Sequence, residues 1–380
     1  MQKRIRLLSI SIVLVMLLIR IIIMNNNSNN KYSFIQDGIK YAITLDENKV
    51  TSFPSKGMFA VKVTCNGADG RWLYEEWKLA IENMTSDNVT CDVNFSTITK
   101  TNLNDYIISL VGTEQGTGQL VNENGYRYEG KNPNNYIWFN NEYWRIIGVF
   151  DSESHGQSGK NLVKIIRADI LDGLEWDKSN SNDWTTSSSN LLLNGAYYNA
   201  QDGTNSGYCY GYFAITTGKC DYTKKGIQSG YRRMVSNVTW YLGGYSSTDA
   251  TAEAFYGYER GSTVYEGRPT STTGYIGLMY ASDYGYSMLA SSCARTRNIG
   301  TYNTEACVGQ SWLYGKGSEW ILTPGSSGSS HMFYLFSVGG PVYTNSANRG
   351  YAIRPVLYLD SSVYKIDGDG SLENPYIVGM

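Results

Sequence analysis

The chain has 380 residues, of which 42% are hydrophobic and only 17% charged, with a formal net charge of −2. That length allows two or three domains, and the missing basic field excludes nucleic acid as a partner. Six cysteines and two histidines, with no Cys-x-x-Cys, cannot build several zinc sites.

Residues 1–24 read as a signal anchor or signal peptide. Lys3, Arg4 and Arg6 precede an apolar run from Leu7 to Ile19, and Ile21 to Met24 extends it past Arg20. The span of about 18 residues is just enough to cross a bilayer, with Arg20 snorkelling outward. No Ala-x-Ala-like site follows, which favours an uncleaved anchor. The basic start keeps the N-terminus inside, so the expected partner of residues 7–24 is a bacterial-type membrane and residues 25–380 face outward. In that compartment the cysteines read as three neighbouring disulfides: Cys65/Cys91, Cys209/Cys220 and Cys293/Cys307.

Residues 25–31 are a polar linker, and 32–97 form a small β-sandwich. Val61, Val63 and Cys65 alternate on one predicted strand, Trp77, Leu79 and Ile81 on a second, and Val89, Cys91, Val93 and Phe95 on a third. The order Cys65…Trp77…Cys91 resembles an immunoglobulin-like sandwich, with Trp77 as a framework residue. Residues 98–125 connect, with a short helix marked by Leu103, Tyr106, Ile107, Leu110 and Val111, which Thr101 or Asn102 could cap.

Residues 126–380 form one larger domain. Tyr136 to Phe150 predicts a hairpin around Asn140-Asn141. Leu162 to Arg167 predicts a strand, Trp184 to Tyr198 a short helix begun by Thr185 or Thr186, and Tyr275 to Tyr286 a buried strand and turn. Trp320 to Pro324 and Ile353 to Leu359 are β-rich ends around a polar Gly/Ser/Asn/Tyr middle. Two short strands around Asp367-Gly-Asp369-Gly370 close the chain. The class is α+β, mostly β.

The motifs WRIIGVF, DWTTSSSNLLLNGAYYN, IGLMYASDYGY and WILTPGSS…IRPVLYL resemble an uncharacterised surface-protein family of gut Gram-positive bacteria. That family carries a C-type lectin-like domain related to formylglycine-generating enzymes. The resemblance covers roughly residues 126–380. It implies that Trp144, Trp320 and Arg354 are framework residues. It also implies that the segment before the last strand forms the ligand face: Ser326, Ser327, Ser329, Ser330, His331, Tyr334, Tyr343, Asn345 and Asn348. Tyr, Ser and Asn together suit an adaptable contact surface for a glycan or a surface protein.

Catalytic patterns are weak. No Gly-x-Ser-x-Gly elbow is present, because residue 329 is Ser. Glu142, Asp169, Asp172, Glu175, Asp177 and Asp283 are carboxylate candidates for sugar cleavage, and spacing singles out no pair. For calcium, Asp367 and Asp369 resemble the start of an EF-hand, but Val378 stands where the bidentate Glu is required, so a plain turn is preferred. The expected function is an extracellular, membrane-anchored binding protein or adhesin rather than an enzyme. The alternatives are an oxidase of the formylglycine-generating type, using Cys293 and Cys307, and a structural envelope protein.

Overall fold

A computed structural model describes residues 34–55, 58–73, 77–97, 101–315, 317–336 and 340–380. The expected membrane segment (1–24) and linker (25–31) lie outside these residues. No helix among the described residues is long and apolar enough to cross a membrane. The protein is mostly β and divides into two compact units, residues 1–99 and 100–380.

The small unit has a five-stranded sheet. Strands β1 (Phe34–Gln36) and β3 (Asn48–Val50) pair with one edge of β2 (Ile39–Leu45). The other edge of β2 runs parallel to β7 (Thr90–Ser96), which pairs with β4 (Phe59–Asn66). A two-stranded ribbon, β5 (Asp69–Leu73) and β6 (Lys78–Glu82), supplies Trp72 to its core. The expected alternation is present in β7, where Cys91, Val93 and Phe95 are buried. Two expectations need correction. The Cys65–Cys91 bridge joins directly paired residues of one sheet, whereas an immunoglobulin bridge crosses between sheets. The buried indole is that of Trp72, which Phe53 and Phe95 contact at ring-centroid distances of 5.0 and 4.9 Å. Trp77 is half-buried in a turn with φ +51°, and its indole donates to the Pro54 carbonyl.

The larger unit begins with β8 (Thr101–Asn102) and helix α1 (Leu103–Ser109), whose Leu103 and Ile107 are fully buried. Asn102 occupies the N-cap position but makes no side-chain capping bond. Residues 101–122, read above as a connection, are built into this unit. With β8 they contribute β9 (Glu114–Gln115) and β10 (Thr117–Asn122) to a ten-stranded sheet. Next come β11 (Tyr126–Asn132), β12 (Tyr136–Phe139), β13 (Glu142–Phe150) and β14 (Leu162–Arg167). The β12–β13 hairpin turns as expected at Asn140-Asn141, whose φ values of +56° and +60° suit a two-residue turn.

A second sheet of five strands carries the segment of interest. It is ordered β15 (Leu171–Glu175), β23 (Gly350–Ile353), β20 (Glu319–Pro324), β21 (His331–Phe336) and β22 (Gly340–Ser346). Between β15 and β20 lie two hairpins, β16 (Tyr210–Tyr212) with β17 (Ile215–Thr216), and β18 (Val238–Tyr241) with β19 (Ser271–Gly274). The chain returns to the large sheet with β24 (Val356–Tyr358), β25 (Tyr364–Asp367) and β26 (Tyr376–Gly379).

Two helical expectations change in detail. A 3₁₀ turn at Trp184–Thr186 is capped by Asp183, and α2 (Ser188–Leu192) is capped by Ser187, so neither Thr185 nor Thr186 starts the helix. Residues 275–286, read as a buried strand and a turn, form only an isolated bridge at Gly277 and then helix α4 (Ala281–Tyr286), which packs on α3 (Ala252–Arg260). The physical reason is Asp283, whose Oδ2 accepts the Tyr280 N–H at 2.9 Å and so closes the first turn.

Buried ion pairs tie the unit together. Asp283 accepts from Arg127 at 2.8 Å and from Lys164 at 2.5 Å, both across long sequence separations. Glu319 holds Arg354 through two bonds of 2.5 and 2.6 Å, and Arg354 also donates to the Leu313 carbonyl at 2.9 Å. Trp144 and Trp320 are fully buried, the latter donating to the Leu174 carbonyl at 3.0 Å.

Replacing Arg354 by Ala leaves Glu319 charged and unpaired in the core, which should cost about 3–5 kcal/mol in a denaturant unfolding curve. The double replacement Arg354→Met with Glu319→Leu should recover most of that loss. Equal destabilisation by the single and double variants would show that the pair's surroundings, not its charge balance, matter.

Candidate functional site

The nine residues expected at a ligand face do not share one environment. Ser326, Ser327, Ser329 and Ser330 lie in the turn after β20, which returns the chain to β21 so that His331 pairs with Ser346. Asn345 and Asn348 flank the turn into β23, and the Ala347 N–H donates to the Ser330 carbonyl at 2.8 Å. The fold therefore brings the two turns side by side. Residues 177–182 stitch them together. Asn182 donates its side-chain amide to the carbonyls of Gly325 and Gly328 at 2.9 and 2.8 Å, the Asp177 N–H reaches the Ala347 carbonyl, and Asn180 accepts the Asn348 N–H.

Tyr334 does not belong to a ligand face. It is only 8% exposed, stacks on Tyr351 at 4.4 Å, and meets Trp320 edge-on at 6.1 Å. It belongs to the hydrophobic core, as do its strand neighbours Phe333 and Leu335 on the other face of β21. The side chain of Tyr343 lies outside what the structure describes. Asn345 is occupied within the protein, donating to the Tyr351 hydroxyl at 2.8 Å and accepting the Ser346 N–H. His331 is exposed, with Nδ1 at 3.5 Å from the Ser330 hydroxyl. A small cleft with a cavity volume of about 10 Å³ opens beside the first turn, lined by Trp184, Tyr265, Arg268 and Pro324 among others. It falls below the usual range for a small-molecule site.

The more distinctive surface was not among the expected residues. The β16–β17 hairpin reaches the second turn, where the Phe213 N–H donates to the Asn348 carbonyl at 3.0 Å. Its apex exposes Tyr212 (44%), Phe213 (49%) and Ile215 (64%). Tyr212 pairs with Ile215, leaving Phe213-Ala214 as a two-residue turn with φ values of +48° and +57°. Such turns normally take Asn-Gly, and a left-handed conformation costs ordinary side chains about 1–2 kcal/mol per residue. The cost is met by tertiary contacts. Besides the Asn348 bond, the Ala214 N–H donates to a carboxylate oxygen of Glu175. Arg349 places its guanidinium 4.8 Å from the Phe213 ring centre and donates to the Tyr212 hydroxyl. Lys178 lies 5.0 Å from the Tyr210 ring centre and donates to the Gly207 carbonyl. Cys209–Cys220 closes the hairpin at its base.

Glu175 is buried at the end of β15. Burial pushes its carboxyl up to about 7; the Ala214 N–H opposes that shift and Asp177 adds to it. Its Oε2 is buried and has no hydrogen-bond partner among the described residues. Sequence reading named Glu175 only as one of six carboxylates. The one sequence signal for the hairpin was Cys209…Cys220 enclosing Tyr-Gly-Tyr-Phe-Ala-Ile.

The other candidate chemistries find these settings. Cys293 and Cys307 are fully buried and joined to each other, so they present no thiolate. All six cysteines are paired as expected. Asp367-Gly-Asp369-Gly370 begins the loop between β25 and β26, and Asp369 accepts the Ser371 N–H at 2.8 Å. No cluster of three or more metal-ligating side chains occurs among the described residues. Of the carboxylate candidates, Glu142 is held by Arg167 and Asp283 by Arg127 and Lys164. No family model, curated protein or solved structure matches the chain.

Alkylation of the denatured but unreduced chain should label no cysteine, and prior reduction should expose all six to mass spectrometry. Labelling confined to Cys293 or Cys307 would revive the thiol chemistry. Ala214→Gly should stabilise the hairpin by about 1 kcal/mol, because it removes a Cβ from a left-handed position. Slower amide exchange across residues 210–216 would register that gain.

Proposed function

We propose that this chain is an extracellular, membrane-anchored binding protein. Residues 7–24 would hold it in the membrane with the N-terminus inside, the small β unit would act as a stalk, and the larger unit would present a C-type lectin-like surface to a glycan or a surface protein. The observation that carries the reading is the apex Tyr212-Phe213-Ala214-Ile215. Tyr212, Phe213 and Ile215 stand in solvent around a turn in which Phe213 and Ala214 take left-handed backbone conformations. Backbone strain kept in place by surrounding contacts is concentrated at functional sites, and Tyr, Phe and Arg are residues well suited to anchor a partner.

Three disulfides support an oxidising compartment. The motif order of residues 126–380 supports the lectin-like reading. In this reading the contact surface is the aromatic apex with Arg349 and the adjoining turn at Asn345–Asn348, rather than the whole span from Ser326 to Asn348. Tyr334 is removed from it because its ring is packed in the core.

The test is binding of the oxidised full chain to arrays of glycans and of envelope and host proteins. A variant carrying Tyr212→Ala, Phe213→Ala and Ile215→Ser runs beside it. Saturable binding weakened at least tenfold in the variant is the expected result. Binding that the variant retains would move the contact surface elsewhere, and no saturable binding at all would sink the receptor reading in favour of a structural envelope protein.

A further inference from the structure

One of the groups that hold the aromatic apex is the carboxylate of Glu175. Glu175 ends β15, and its partner in the sheet is Gly350 of β23. The β16–β17 hairpin lies against that pair of strands. A Cβ on Gly350 would come within 1.9 Å of the Gly211 carbonyl oxygen, so the two backbones are in direct contact. The apex is then tied at two N–H groups, Phe213 to the Asn348 carbonyl and Ala214 to Glu175. The first is a neutral backbone bond. The second depends on an ionisable group with one oxygen buried and unpartnered.

Charged groups surround this contact without neutralising it. Asp177 is on the same segment as Glu175 and adds negative charge. On the hairpin side Lys178 is spent on the Gly207 carbonyl and Arg349 on the Tyr212 hydroxyl, while Lys219 lies 3.6 Å from Asp172. None of these cations forms an ion pair with Glu175. A charge appearing on Glu175 is therefore best relieved by letting water reach it, and the nearest cover to lift is the hairpin.

We infer that Glu175 is a proton-controlled latch for the binding apex: protonated, it keeps hairpin 210–216 seated on the β15–β23 edge, and ionised, it favours release of the hairpin. This deepens the receptor reading and rests on it for its biological meaning, though not for its test. The sign follows from linkage. In the seated state burial raises the carboxyl to about 7, while a solvated glutamate keeps its ordinary value near 4.5. The seated state thus binds the proton more tightly, so its advantage is complete below the lower value and is lost as pH rises through the higher one. Between pH 5 and pH 8 the ratio of seated to released hairpin should fall by roughly 70-fold.

The experiment is hydrogen exchange on the full oxidised chain from pH 5 to 8, corrected for intrinsic rates, with no ligand present. Protection of amides 212–216 should fall by that order of magnitude, while β13 amides such as Ile146 stay level. Glu175→Gln should keep the protection and flatten its pH dependence, since an amide still accepts the Ala214 N–H but does not ionise. Where that variant fails to fold, ¹³C NMR of the Glu175 carboxyl in the unmodified chain replaces it, and the loss of protection must level off as pH passes the carboxyl midpoint. A flat profile in the unmodified chain, an unchanged slope in Glu175→Gln, a parallel fall in β13, or protection that goes on falling well above the carboxyl midpoint would each overturn the latch. Because no ligand takes part, failure of the binding arrays leaves this result untouched.

Discussion

The buried pair between Arg354 and Glu319 locks two neighbouring strands of the sheet that carries the candidate turns. Glu319 opens β20, which leads into the turn at 325–330. Arg354 follows β23, which the turn at 346–349 precedes. Two parallel hydrogen bonds between planar groups set both distance and angle, so the start of one strand is locked to the end of the other. The two turns lie beside each other because His331 pairs with Ser346 across β21 and β22, close enough for Ala347 to bond Ser330. Burying both charges is costly unless every polar atom is engaged, and the third bond, from Arg354 to the Leu313 carbonyl, helps to meet that requirement.

On that scaffold the β16–β17 hairpin shows local and tertiary preferences in conflict. Phe213 and Ala214 are poor choices for a left-handed turn, and Tyr212, Phe213 and Ile215 are poor choices for an exposed apex. A sequence shaped by stability alone would place Asn-Gly and polar flanks there. The disulfide at the base, the cation over the aromatic ring and the two bonds to the turn N–H groups hold the apex in place instead. A position where every local rule is broken while the surroundings over-determine the conformation is where function is expected.

Two buried carboxylates in the same unit illustrate how partners decide charge. For Asp283, burial alone would raise the pKa, but Lys164 and Arg127 outweigh it and bring the group down to about 2. For Glu175, burial is opposed only by one backbone N–H, and the group rises to about 7. The first is permanently ionised at neutral pH and serves as a structural joint between α4, β11 and β14. The second is raised toward neutrality because no cation among the described residues offsets its burial.

Much of the architecture was legible in local patterns. Alternation marked β7, the Asn140-Asn141 pair marked the β12–β13 turn, and neighbouring cysteines marked all three bridges, because each depends on residues close together in the chain. Helix α4 was missed because its capping group, Asp283, was read as a candidate catalyst at the end of an apolar run. Trp72 rather than Trp77 entered the small core because a left-handed turn at residue 77 breaks the strand's alternation. The candidate surface was only half visible. Ser326–Asn348 read as one polar span, yet Tyr334 within it faces the core, and Glu175, Phe213 and Arg349, far apart in sequence, complete it. Sequence alone determined the class, the bridges and the main hairpin, since these follow from spacing over a few residues. Tertiary structure alone decided which side chains meet solvent and which carboxylate lacks a cation among the described residues, because exposure and pairing are set by contacts between distant segments, 39 residues apart for Glu175 with Ala214 and 137 for Arg349 with Tyr212.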